Sequence, residues 1–456
     1  MWSYLKRDDV DNFLNEYPNL KEDFYSLCLL TTKNEVFLPR LMADKFKSNY
    51  LHKYYGKKEN EPEKVNIKFQ GELKDKQKPV AGKILEKHDF NKKIQGIIKL
   101  PPGFGKTVLS IFLLSKIGFK TCIIVDNSDL LGQWIKEIIK FTDLTEDDIG
   151  IIKQKLFVTD KKVTLAMSQS LLSKLRNNFH KTFTDFDNAN FGLVIYDEVH
   201  RSSASQEYAK ISIIQRTTNT IGLSATPFHT GVQKILMENT IGPLIYESSD
   251  YEKRPKYYLY YYHSNLDKYK HVASKMGDFI KKRGFYNKII PKSETYLASI
   301  LYFTKMLMTK GHTIAILCLT KDQINTISKV LEKNGITHRR FYGDEREIDK
   351  ENDQVVVMSY KFAGTGFDMK SLSAMILACP LSGKKSLIQS IGRILREDKD
   401  KQDPIVVDFI DKTFSFLFFN EINRKKSILK NEFGGENFKI NEIDEQQIGI
   451  NKKESK

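Results

Sequence analysis

Two series of short apolar runs, each run separated from the next by a stretch with helical spacing, govern what this chain can fold into. The first series falls within about residues 66–250: "GIIKL" at 96–100, "TCIIVD" at 121–126, "VTLAM" at 163–167, "FGLVIYDE" at 191–198 and "TIGLSAT" at 220–226. The second falls within about 297–425: "TIAILCL" at 313–319, "THRRFYG" at 337–343, "QVVVMSY" at 354–360, "SAMILAC" at 373–379 and "PIVVDFI" at 404–410. Runs this short are strands rather than helices, and most of them lack polar alternation, which places them in sheets covered on both faces. Strands joined through helices must be parallel, so the expected class is α/β, with two units in tandem. A chain of 456 residues is too long for one ordinary core in any case.

This reading divides the chain at recognisable composition shifts. Residues 1–65 form a small N-terminal α+β accessory module ending in the polar linker "GKKENEPEK". Residues 66–250 and 297–430 are the two α/β domains. Between them, 251–296 is a Lys- and Tyr-rich linker or insert with one strand, "YYLYYYH" at 257–263, better read as core-and-surface alternation than as a base-stacking platform. From 431 to 456 the chain turns into a polar tail.

Charge and cysteine usage bound the partners. The formal net charge is +16, which favours a polyanionic partner, nucleic acid above all. The four cysteines, Cys28, Cys122, Cys318 and Cys379, have neither metal-knuckle nor redox-pair spacing. The N-terminus lacks a signal-peptide core, and no stretch is apolar enough to cross a membrane. The expectation is a soluble, intracellular protein, in the host cytoplasm or nucleus if the chain is viral or phage-like, and a monomer with no membrane partner.

The chemistry begins at "IIKLPPGFGKTVLS", residues 97–110. A strand, a glycine loop and an apolar-periodic helix ending at Gly118 form the context of a P-loop. Gly103, Phe104 and Gly105 make the loop whose backbone N–H groups face phosphate oxygens, aided by the helix N-terminus. Lys106 reaches the β/γ-phosphates and Thr107 offers its hydroxyl to Mg²⁺. The glycine that opens many such loops is replaced by Leu100, which reads as the end of the preceding strand. A second element, "LVIYDEVHR" at 193–201, is a buried strand ending in two carboxylates. Asp197 is placed to hold Mg²⁺ and Glu198 to orient and deprotonate an attacking water. Either element alone is also what a turn before a helix, or an acidic turn after a strand, looks like. Their order and strand contexts together point to ATP and Mg²⁺.

The order of motifs then resembles that of a superfamily-2 DExH helicase over about 70–425. "PPGFGKT" is similar to motif I, "VDNSDLLGQW" at 125–134 to motif Ia, and "SQSLL" at 168–172 to the next backbone-contacting motif. "DEVH" at 197–200 is similar to motif II, "LSATP" at 223–227 to motif III, "AGTGFD" at 363–368 to motif V and "QSIGRILR" at 389–396 to motif VI. Within the superfamily the likeness is to the DNA-translocating branch that includes xeroderma-pigmentosum-B-like, phage branch-migration and poxvirus transcript-release helicases. It is carried by "GFGKT", "LLGQW", "GLSATPFH", "IGPLIYE", "AGTGFDMKSL" and "QSIGRILRE".

The resemblance implies two tandem RecA-like domains with ATP used between them. It implies that Gln77 reads adenine and that Gly366 and Asp368 contribute from the second domain. Asn127, Gln133, Ser168, Gln169 and Thr365 would contact the nucleic acid, and His200, Ser224 and Thr226 would couple hydrolysis to movement. Spacing adds that Gln389, Arg393 and Arg396 recur at i, i+4 and i+7, on one helix face, with Leu387, Ile388, Ile391 and Leu395 mainly on the other. The polar stripe reads as arginine fingers with an accompanying amide. The expected function is an ATP-dependent DNA helicase or translocase acting on single-stranded, duplex or branched DNA. An RNA helicase, and an ATPase subunit that remodels a larger complex with little unwinding of its own, remain open. Residues 1–65 are a candidate site for protein partners.

Overall fold

The computed structural model describes the whole chain apart from residues 1, 23, 32–33, 40, 43–45, 55–60, 92, 200–208, 216, 218, 228–230, 249–250, 252, 272–283, 285–286, 343–344, 347–353, 361–368, 370, 380, 382, 397, 399–400, 435–437 and 449–456. The chain forms two compact units, Met1–Ser248 and Ser249–Lys456. Among the described residues no helix is long and apolar enough to cross a membrane.

The first unit opens with a small antiparallel sheet. Its strands β1 (Trp2–Lys6), β2 (Leu30–Thr31), β3 (Glu35–Leu38) and β4 (Leu51–Tyr54) are ordered β2-β3-β1-β4, with helix α1 (Val10–Glu16) alongside. A module of this size buries too little surface to be well stabilised alone. Its core of Leu5, Phe13, Leu27, Val36 and Leu38 is continuous with Ala209, Ile213 and Leu236 of the following domain. The module is thus a covering layer on that domain rather than a tethered appendage.

The α/β part of the unit runs through α2 (Gln77–Asn91), β5 (Gln95–Lys99), α3 (Lys106–Ile117), β6 (Thr121–Val125), α4 (Ser128–Phe141), β7 (Ile149–Lys153), β8 (Leu156–Phe157), β9 (Val163–Met167), α5 (Ser168–Asn177), β10 (Leu193–Tyr196), β11 (Thr220–Ser224), α6 (Gly231–Thr240) and β12 (Leu244–Glu247). The sheet order is β12-β5-β11-β10-β6-β9-β7-β8, parallel throughout except for the β7–β8 hairpin. Every residue of β6, β10 and β11 is buried, as continuous apolar strands of a covered sheet should be. The order places β11 between β5 and β10, so the loops after these three strands emerge side by side at the carboxyl edge. That edge is where open α/β sheets bind ligands.

The second unit contains β13 (Lys256–Tyr262), α7 (Glu294–Thr309), β14 (Thr313–Cys318), α8 (Lys321–Lys333), β15 (Arg339–Tyr342), β16 (Glu345–Arg346), β17 (Val355–Ser359), β18 (Leu372–Leu377), α9 (Lys384–Ile394), β19 (Ile405–Asp411), α10 (Ser415–Phe433) and β20 (Ile440–Asp444). Its order is β16-β15-β17-β14-β18-β19-β13-β20, again parallel apart from β15–β16. Two segments differ from their reading as linker and tail. Residues 256–262 form an interior strand of this sheet, with Tyr257, Tyr260 and Tyr262 buried and so closed to stacking bases. The polar tail begins with ordered structure: Ile440–Asp444 pairs with β13, and Phe433 and Phe438 are buried against the sheet. The open edge of β13 supplies hydrogen bonds that the tail's weak apolar pattern did not advertise.

Candidate nucleotide site and nucleic-acid face

Leu100 settles the oddity of the glycine loop. Its side chain is fully buried in the domain core, and its N–H donates to the carbonyl of Ser224 at 3.1 Å. It prolongs the β5–β11 ladder by one step beyond the Lys99–Ser224 pair. Leu100→Ala is expected to lower stability by about 2–5 kcal/mol, as cavities in tight cores do. Thermal or urea unfolding measures it, and a loss under about 1 kcal/mol would contradict this packing.

After Leu100 the loop needs left-handed backbone twice, at Gly103 (φ 80°) and Gly105 (φ 86°). A Cβ on Gly105 would also lie 2.5 Å from Gln77 Nε2. Gly105 is the N-cap of α3 and brings no capping side chain, so the first-turn N–H groups are left to a ligand. Lys106 and Thr107 open that helix and are half-buried. Phe104 takes a different part from the one expected: its ring is buried in the core, with Lys76 Nζ 5.2 Å from the ring centre, and its backbone is what belongs to the loop. Gln77, also buried, holds the loop from below. Its Nε2 donates to the carbonyls of Phe104 (3.1 Å) and Gly105 (3.0 Å), and its Oε1 accepts from Lys74 N–H (2.9 Å). The amide expected to read adenine is therefore occupied as a brace of the phosphate loop.

Across β11, the end of β10 presents the acidic pair. Asp197 is buried, and both its oxygens are held: Oδ1 accepts from Glu198 N–H at 3.0 Å and Oδ2 from Trp134 Nε1–H at 2.8 Å. Burial pushes its carboxyl up to about 6, the neighbouring Glu198 charge adds to this, and Trp134 and Lys106 oppose it. Glu198 adopts φ 49°, an unusual left-handed conformation for a side-chain-bearing residue, which turns the chain sharply off the strand. A buried carboxylate beside a second one, with a lysine close enough to act on it, is an arrangement that a divalent cation relieves. With the uncapped helix start and the left-handed glycines, these residues fit a nucleoside triphosphate and Mg²⁺. Thr107 and Asp197 are the side chains that would hold the ion.

Ser224 and Thr226 are buried at the end of β11, and Thr226 N–H donates to Ser224 Oγ at 3.0 Å. A Cβ on Gly222 would meet Val199 Cγ2 at 3.1 Å, so this glycine lets β11 lie close to the turn that carries Asp197 and Glu198. His200 lies outside the described residues, as do Thr365, Gly366 and Asp368.

The residues expected on nucleic acid separate. Asn127 Oδ1 caps α4 by accepting from Leu130 N–H at 2.9 Å. Ser168 is fully buried and donates to Asp126 Oδ1 at 3.4 Å, so its side chain is closed to an outside ligand. Gln133 is half-buried on α4. Gln169 is exposed and lines a cavity of about 570 Å³ together with Ser128, Lys153, Lys155 and Lys174. The lysines of the β7–β8 hairpin were not among the expected contacts. The run "IGIIK" at 149–153, which ends in the first of them, was the available signal of a strand there.

In the second unit, α9 carries the arginine motif. Leu387, Ile388, Ile391, Ile394 and Leu395 are buried against the sheet, whereas Gln389, Arg393 and Arg396 are half-buried. The helix ends at Ile394, so Arg396 stands just past it. Its N–H donates to the carbonyl of Arg393 at 3.4 Å, and its own carbonyl accepts from Lys401 Nζ at 2.6 Å.

The strand order, the phosphate loop and the acidic turn define a P-loop nucleoside triphosphatase domain followed by a second α/β unit. Comparison with known proteins narrows this. The family described as the type III restriction enzyme res subunit matches residues 70–229, and the helicase conserved C-terminal domain matches 295–398. A protein of Acanthamoeba polyphaga mimivirus named as an ATP-dependent RNA helicase, L396, is 28% identical over 84% of this chain and 74% of its own length. The DNA 3′-5′ translocase XPB2 of Sulfurisphaera tokodaii is 25% identical over 80% of this chain and 90% of its own. Among solved structures, Dbp5 of S. cerevisiae bound to RNA and ADP BeF3 superposes with a TM-score of 0.54 at 14% identity, over 78% of this chain and 88% of that one. The two units are tandem RecA-like domains, and the chain belongs to the superfamily-2 helicases, ATPases stimulated by nucleic acid.

Proposed function

We propose that this chain is an ATP-dependent DNA translocase and helicase that couples hydrolysis to movement on, and remodelling of, DNA. The observation that carries the choice of DNA is the alignment with an archaeal DNA 3′-5′ translocase along 90% of that protein's length. The net charge of +16 agrees with a polyanionic track, though not with one kind of nucleic acid over another. An RNA substrate is the second reading, favoured by the mimivirus relative and its name.

In this reading Lys106 and the N–H groups at the start of α3 bind the phosphates, and the Gln77 brace keeps the loop in register for them. Glu198 orients the attacking water and accepts its proton, while Arg393 and Arg396 supply positive charge as the γ-phosphate departs. When bound, Mg²⁺ neutralises phosphate charge; Thr107 and Asp197 are its protein ligands. Gln169 and the lysines around the cavity hold the sugar-phosphate backbone, and Ser224 and Thr226 link the β11 end to the catalytic turn.

The test is ATPase stimulation by single-stranded DNA, duplex DNA, branched DNA and RNA, followed by unwinding of the best substrate. Stimulation by DNA is expected. Stimulation by RNA alone would overturn the DNA reading, and stimulated hydrolysis without unwinding would identify a remodelling ATPase.

A further inference from the structure

Trp134 closes the run "VDNSDLLGQW", and its side chain makes a contact that a backbone-contacting role for that run does not explain. It lies in α4, 1% exposed, and its indole N–H donates at 2.8 Å to Asp197 Oδ2, across a sequence separation of 63 residues. The same helix starts at the basic cavity, which Ser128 lines with Gln169, Lys153 and Lys174. Trp134 lies six helical steps after Ser128, about 9 Å along the axis. The helix start is also tied to the α5 start, through Ser168 Oγ to Asp126 Oδ1 (3.4 Å) and Ser128 Oγ to Met167 Sδ (3.8 Å). One rigid element therefore has its first turn at the cavity and its middle on the catalytic carboxylate.

We propose that Trp134 is a positioning residue through which occupancy of the basic cavity by nucleic acid sets the orientation of Asp197, and with it the binding of the Mg²⁺–nucleotide. The inference rests on the nucleotide-site reading above. Burial of the ring would follow from core packing alone. The hydrogen bond is the extra feature, because indole has one donor and spends it on a carboxylate whose other oxygen is already held by its own turn. Hydrogen bonds lengthened past about 3.5 Å are lost, so a sub-ångström movement of α4 on the cavity side changes what holds Oδ2. By linkage, the same movement makes nucleic acid and Mg²⁺–nucleotide alter each other's affinity.

The chain contains two tryptophans, Trp2 and Trp134, so Trp2→Phe leaves Trp134 as the sole indole reporter. In that variant, indole emission is expected to change on adding Mg²⁺–ADP, and not with ADP in EDTA. A signal indifferent to Mg²⁺–ADP, under conditions where a fluorescent mant-ADP analogue binds, would overturn the proposal. Trp134→Phe keeps a ring in the core and removes the N–H. The Mg²⁺ concentration needed for half-maximal mant-ADP binding should rise about tenfold or more, the loss typical of a hydrogen bond to a charged group. The factor by which poly(dT) or poly(U) changes mant-ADP affinity should fall towards one. A variant that melts like the parent and keeps both the parental Mg²⁺ requirement and the parental coupling factor leaves Trp134 a core residue only. Should Trp134→Phe fail to fold, the Trp2→Phe emission result decides. If the parent itself fails to bind Mg²⁺–mant-ADP, the nucleotide-site reading fails instead.

Discussion

Glu198→Gln binds ATP and does not turn it over: the hydrolysis rate is expected to fall by about 10²-fold or more, the usual contribution of a general base. The substitution keeps the shape of the side chain and adds no constraint to the left-handed backbone at φ 49°. The N–H of residue 198, which holds Asp197 Oδ1, is unaffected because it belongs to the backbone. Removing the Glu198 charge also removes one of the two influences that raise the Asp197 carboxyl. Asp197 then stays ionised to lower pH, which favours retention of the cation and nucleotide. The sign is testable: as pH falls, Mg²⁺–mant-ATP binding should persist further into acid in the variant than in the parent, because the Asp197 carboxyl is raised less. Single-turnover hydrolysis alongside equilibrium binding separates the two effects. Normal turnover would remove Glu198 from the role of base.

Arg393→Ala is expected to lower nucleic-acid-stimulated hydrolysis by about 10³-fold, within the range measured for arginine fingers, while changing nucleic-acid affinity little. The buried face of α9, Leu387, Ile388, Ile391 and Ile394, should keep the helix docked without the guanidinium. The loss should therefore appear in rate rather than in stability. Arg393→Lys is an informative companion, since lysine keeps the charge and lacks the planar fork. It should recover only a small part of the rate. Equal losses of hydrolysis and of nucleic-acid binding would place Arg393 on the nucleic-acid path.

Local signals carried the strands and the backbone of the glycine loop well. Each of the ten runs quoted from the two series holds a strand, and five of them carry four to six contiguous apolar residues, which specify a covered strand without reference to the rest of the chain. Left-handed Gly103 and Gly105 are likewise a local requirement of the loop. Features made by distant residues were harder to read. Ile440–Asp444 reads as tail because three of its five residues are charged or amide-bearing, and only the open edge of β13 makes it a strand. Ser168 looked available in "SQSLL", but the start of α5 turns it inward to Asp126.

The residues alone determined two α/β units in tandem, a phosphate loop at 101–107, a carboxylate pair at Asp197 and Glu198, and the amphipathic face of the arginine helix. Each depends on chemistry within a few positions of itself. Tertiary structure decided the rest: β11 lies between β5 and β10, Leu100 belongs to the ladder, Gln77 braces the loop, and the indole of Trp134 holds Asp197. Strand order and buried hydrogen bonds are choices among many pairings that local patterns permit equally. The packing of the whole core selects one of them, because each buried polar group must find a partner there.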